Sequence, residues 1–145
     1  MKQNNLRIKN QPLLEIFVVI ATLSTSIAGF VHLYIPLVSE PMILHHVPNA
    51  IFFLGSGIAQ LLWIIPMLKR WGKAWYYVGI IGNIGFILLY IITRIPGNPI
   101  TGRGGRIDNI DLICEFAQLA YILTTLVIII KVNKLKIQNE SINKI

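Results

Sequence analysis

Charge is scarce in this chain. Lys, Arg, Asp and Glu account for 13% of its 145 residues, against roughly 25% in soluble globular domains. With 54% apolar residues and a mean hydropathy of +0.66, that deficit points to lipid rather than water as the main solvent. Cysteine is nearly absent: Cys114 stands alone, which excludes an intrachain disulfide. Acidic residues are few, six against thirteen Lys and Arg, for a net charge of +7. A surplus of that sign could serve nucleic acid, but the cations sit between and beyond the apolar runs, as juxtamembrane cations do. No aromatic-basic motif accompanies them, so a nucleic-acid partner is not expected. Metal-ligand pairs of the HxxxH or CxxC type are also missing.

Long apolar runs fill the space that charge leaves. Four of them, at about 13–37, 47–67, 75–95 and 108–130, are each near the 20 residues that cross a hydrocarbon core of roughly 30 Å at 1.5 Å per residue. The first follows Lys2, Arg7 and Lys9, as a signal peptide would, and Ser26-Ile27-Ala28 resembles a weak cleavage site. The run continues past it, which favours an uncleaved signal-anchor helix. Pro48 opens the second run and Pro66 closes it, as expected at helix boundaries. Short connections predict antiparallel neighbours. The expected fold class is therefore all-α: one domain, 1–145, an integral membrane four-helix up-down bundle, with a polar, frayed helical tail over 131–145.

Alternate loops fall on opposite sides of such a bundle. One side receives Lys2, Arg7, Lys9, Lys69, Arg70, Lys73, Lys131, Lys134, Lys136 and Lys144, ten of the thirteen cations; the other receives Arg94, Arg103 and Arg106. Positive-inside bias predicts a multi-pass cell-membrane protein with both termini cytoplasmic. Trp71, Trp75, Tyr76 and Tyr77 fit an inner aromatic belt, with Tyr34 and Tyr90 near the outer one.

The same assignment gathers the remaining polar chemistry outside. His32 lies late in the first run, and Glu40, His45 and His46 precede the second. Arg94 ends the third, while Asp108, Asp111, Cys114, Glu115 and Gln118 open the fourth. Asp111, Cys114 and Glu115 are spaced i, i+3, i+4 and share a helix face, and Arg94 is the natural partner for Asp111 or Glu115. Three readings stand side by side. His32, Glu40, His45 and His46, with Asp111, Glu115 and Cys114 nearby, carry the donors that copper, zinc or iron use. An Arg–carboxylate network could instead close the bundle, and Glu115 and Gln118, with Asn49, Gln60 and Asn83, could line a proton path.

Small residues supply packing surfaces. Gly79, Gly82 and Gly85 recur every third residue in the third run, and Gly55 and Gly57 flank Ser56 in the second; small residues let membrane helices approach closely. The 93–106 loop alternates Pro and Gly, which predicts a structured turn rather than a helix. Its Gly102-Arg103-Gly104-Gly105 stretch lacks the Lys-Ser/Thr ending and the preceding strand of a phosphate loop.

Taken together, His32, Glu40 with His45 or His46, Phe52-Phe53, Gln60, Trp63, Thr93-Arg94, Gly97, Pro99, Asp111 and Glu115 give the chain its pattern. That pattern resembles a group of uncharacterised small four-helix membrane proteins of archaea and actinobacteria. The resemblance implies the architecture and a shared outer site, without an assigned reaction. The composition also looks like that of proteins from ammonia-oxidising archaea, which implies an accessory subunit of a membrane copper monooxygenase. Three functions follow: a subunit or assembly factor that contacts other membrane subunits or itself, a metal-binding or redox protein using copper or another transition metal, and a small proton-coupled transporter.

Overall fold

A computed structural model describes residues 12–39, 47–102 and 104–142. Helix α1 spans Pro12–Tyr34 and runs into a π-helical turn, Ile35–Ser39; α2 spans Val47–Leu62, α3 Ile64–Lys69, α4 Lys73–Arg94 and α5 Asn109–Ile142. No strand occurs among the described residues. Four segments, Pro12–Val38, Val47–Lys69, Lys73–Arg94 and Asn109–Ile142, are long and apolar enough to cross a bilayer. Their outward faces agree: Phe30, Ile81 and Phe116, on three different spans, are 63%, 67% and 69% exposed among many similar neighbours. Soluble proteins rarely expose contiguous apolar surface on that scale. The chain is a small polytopic membrane protein whose helices meet lipid.

Prolines shape two spans, and one of them departs from the sequence expectation. Pro66 lies inside the second span rather than at its end. It has no N–H for the Leu62 carbonyl and its ring crowds that carbonyl, so the helix breaks at Trp63, between α2 and α3. The span then continues to Lys69, and Arg70, left-handed at φ 50° and ψ 52°, closes it: its N–H donates to the Met67 carbonyl at 3.3 Å, and the Trp71 N–H donates to the Pro66 carbonyl at 3.2 Å. Pro36, almost wholly buried, sits in the π-helical turn, where the regular hydrogen-bond ladder is already interrupted. The fourth span also exceeds its predicted bounds. The segment expected to fray continues α5 as helix to Ile142, with Lys136 and Glu140 paired at 3.8 Å one turn apart.

Packing is centred on α1. It lies against α5 over the longest contact and against α2 on its other flank, while α4 leans on α5. Among the described residues, the backbones of α2 and α4 make no contact within 8 Å; the second and third spans meet only where α3 touches α4. The bundle is thus sealed at the α3 end and open along one edge at the other.

The sealed end holds the larger core: Leu14, Val18, Met67, Tyr76, Ile80, Tyr121, Ile122, Ile128 and Ile129, with Trp63 packed against it. Trp63 Nε1 donates to the Tyr121 hydroxyl at 3.1 Å, and that hydroxyl donates to Met67 Sδ at 3.4 Å. Tyr76 belongs here, 3% exposed, rather than to the aromatic belt; Trp71, Trp75 and Tyr77 remain exposed.

Of the helix glycines, Gly57 and Gly79 make the closest approaches. A Cβ on Gly57 would lie 2.9 Å from the Gly29 carbonyl oxygen, where α1 and α2 cross, and one on Gly79 would collide with the Tyr121 hydroxyl and Trp63 Nε1. Gly55, Gly82 and Gly85 face open space instead. The geometry explains the split. Three residues turn a helix by about 300°, so each step of the Gly79-Gly82-Gly85 series slips about 60° off the shared face. Gly55 and Gly57, about 200° apart, cannot share one.

Candidate functional site

At the open end, four spans enclose a cavity of about 470 Å³. His32 and Ile35 reach it from the end of α1, and Asn49, Phe52 and Phe53 from the start of α2. The last turns of α4 contribute Phe86, Leu89, Tyr90, Thr93 and Arg94. Ile110, Asp111, Cys114 and Glu115 come from the first turns of α5. The C-terminal ends of α1 and α4 and the N-terminal ends of α2 and α5 therefore meet here.

The wall on the α2 and α4 side is aromatic. Phe52 meets Phe53 and Phe86 edge-on, at centroid distances of 5.8 and 6.1 Å, and the His32 ring packs edge-on against Phe53 and Phe86 at 5.7 and 5.3 Å. These rings bridge the gap that the backbones leave between α2 and α4. Buried His32 is fixed through Nδ1, 3.2 Å from Ser56 Oγ. The Ser56 hydroxyl donates to the Phe53 carbonyl at 3.0 Å, so the remaining arrangement has Nδ1–H donating to Ser56 Oγ.

The rest of the lining, where the end of α4 meets the start of α5, is charged. Arg94 Nη2 donates to Asp111 Oδ2, and the pair is 23% and 18% exposed. The Arg94 guanidinium also lies 4.3 Å over the Tyr90 ring, a cation–π contact. Asp108 pairs with Arg106 at 3.1 Å on the exposed rim. Glu115, one turn below Asp111, makes no hydrogen bond or ion pair among the described residues, and its Oε2 is sealed from solvent without a partner. Glu115 sits six residues into α5, about 9 Å along the axis at 1.5 Å per residue. A carboxylate at that depth in an apolar run is costly and marks a functional candidate.

The 93–106 loop roofs the cavity, and Asn98 organises it. Its side-chain amide donates to the Ile95 carbonyl at 2.9 Å and to Thr101 Oγ1 at 2.8 Å, while Oδ1 accepts from the Ile100 and Thr101 amides at 3.0 and 2.7 Å. Gly105 N–H then returns to the Thr93 carbonyl at 2.9 Å, and a Cβ on Gly105 would come within 2.6 Å of Arg94 Nη1. Glycine lets the loop lie on the guanidinium. The Pro and Gly pattern marks this stretch as a turn without marking Asn98; the signal for Asn98 is its Gly-Asn-Pro context, which suits an Asx turn.

The structure thus brings together His32, Arg94, Asp108, Asp111, Cys114 and Glu115. Gln118 lies one turn deeper than Cys114 and off the cavity, fully buried, with Nε2 donating to Cys114 Sγ at 3.5 Å; the thiol donates to the Ala28 carbonyl at 3.9 Å. Gln60 and Asn83 do not line the cavity either, and Asn83 Nδ2 donates to the Gly79 carbonyl of its own helix at 2.8 Å. Glu40, His45 and His46, three of the four proposed metal ligands, lie outside the described residues. Among the described residues, no group of three or more His, Cys, Asp or Glu side chains is placed to share a metal ion. Compared with known proteins, the chain matches no family model, no curated protein and no solved structure.

Proposed function

We propose that this protein binds a small amphipathic molecule within the membrane, in the cavity between the open ends of its four spans. The observation that carries this reading is the cavity's mixed lining. Phe52, Phe53, Phe86 and Leu89 offer apolar surface, while Arg94, Asp111 and Glu115 offer converging polar groups. Ligand sites combine predominantly apolar linings with a few placed polar groups in this way. The unsatisfied Glu115 oxygen adds a polar group that a ligand could satisfy, since buried polar atoms normally have partners.

The cation distribution supports an up-down bundle with both termini cytoplasmic, which puts the cavity in the outer half of the membrane. Thermal-shift measurements on purified protein, with a panel of cationic, anionic and neutral amphiphiles, test the site. Stabilisation by at least one class, abolished by Leu89→Trp, is expected. No response to any class, or one unchanged by Leu89→Trp, overturns the reading.

A second reading is an accessory or assembly subunit of a larger membrane complex, such as an archaeal copper monooxygenase. The open edge between α2 and α4 favours it, because a helix of another subunit could lie there. Extraction in gentle detergent followed by native gels separates the two: a clean monomer with no co-purifying chain counts against the subunit reading.

A further inference from the structure

The charges around the cavity narrow the class of ligand. Among the described residues, Arg94 is held by Asp111 and Arg106 by Asp108. Among the described residues, Glu115 is the one cavity-lining carboxylate without an ion pair, and Arg94 is already committed to Asp111. The described ionisable residues on the cavity wall are two Arg, two Asp and one Glu, so an ionised Glu115 leaves them one positive charge short. Three phenyl rings line the same cavity. Ring faces attract cations within about 6 Å, more strongly when water is excluded. An anion would meet the unpaired carboxylate directly. Phe52 and Phe86 span the edge where the α2 and α4 backbones stand apart, so only side chains separate the cavity from lipid on that side.

We propose that the cavity takes a lipophilic organic cation, an amine or onium, with Glu115 as its counter-charge and Phe52, Phe53 and Phe86 around its apolar groups. This assignment rests on the cavity being a ligand site. Equilibrium dialysis of the full chain in lipid nanodiscs, with empty nanodiscs as background, tests it with two ions of matched shape and opposite charge, tetraphenylphosphonium and tetraphenylborate.

Saturable binding of about one tetraphenylphosphonium per chain is expected. It should weaken at least tenfold in Glu115→Gln, weaken several-fold in Phe86→Leu, and stay within twofold in Glu140→Gln, which alters a distant exposed carboxylate. Should Glu115→Gln fail to fold, the Phe86→Leu comparison decides. Phosphonium binding that ignores both substitutions overturns the proposal. Saturable binding of the borate alone overturns the cation assignment and leaves the ligand site standing. Absence of saturable binding by either ion also overturns the assignment, and the site itself falls only if the broader amphiphile panel is silent too.

Discussion

Arg94, the last residue of α4, and Asp111, in the first turn of α5, join side chains that are 23% and 18% exposed. They tie the two ends of the 93–106 loop together and form the charged wall of the cavity. Removing one partner leaves a poorly solvated charge, whereas replacing both with apolar groups removes the desolvation cost as well. Asp111→Ala should therefore cost about 2–4 kcal/mol. The double change Arg94→Met with Asp111→Leu should recover most of it. Thermal unfolding in mild detergent measures both, and equal losses in the single and double variants would contradict the pairing.

The glycines of α4 give a second test, because only one of them is at a close contact. Gly79→Ala should cost about 1–3 kcal/mol through overpacking against Tyr121 and Trp63. Gly85→Ala, whose added Cβ meets nothing within 4 Å, should be neutral or stabilise by up to about 1 kcal/mol through helix propensity. The same unfolding assay decides, and equal effects at the two positions would refute the assigned faces.

Much of the architecture was legible in the sequence, because lipid imposes a length and a composition on anything that crosses it. The four runs mark the four spans, and the i, i+3, i+4 spacing of Asp111, Cys114 and Glu115 did place them on one wall. Less legible were effects that depend on a partner helix. Pro66 reads as a terminator until the chain is seen to continue through it, and Tyr76 reads as a belt residue until α5 covers it. Gly79 and Gly85 look alike in sequence; Tyr121 and Trp63 distinguish them. Arg94 could have chosen Asp111 or Glu115, and its choice of Asp111 is what leaves Glu115 alone.

The roof of the cavity should depend on Asn98. Its side chain replaces backbone partners for a loop with little regular structure, and net hydrogen bonds are worth about 1 kcal/mol each. Asn98→Ala should cost about 1–3 kcal/mol and raise the rate of proteolytic cleavage within 96–106. Unchanged cleavage would show that the loop holds itself without Asn98.

Orientation in the membrane can be read directly on a Cys114→Ser background. Ile107→Cys, at a position 60% exposed beside the cavity mouth, should react with a membrane-impermeant maleimide in intact cells. Lys136→Cys, in the extension of α5, should react only after lysis. The reverse pattern would invert the proposed topology and place the cavity toward the cytoplasm.

Native mass spectrometry of the protein released from its own membranes tests the cavity most directly. The account predicts a bound small molecule of defined mass on the wild-type chain, lost on Leu89→Trp and retained on Glu140→Gln. A wild-type chain that carries nothing, or carries the same mass after Leu89→Trp, would contradict it.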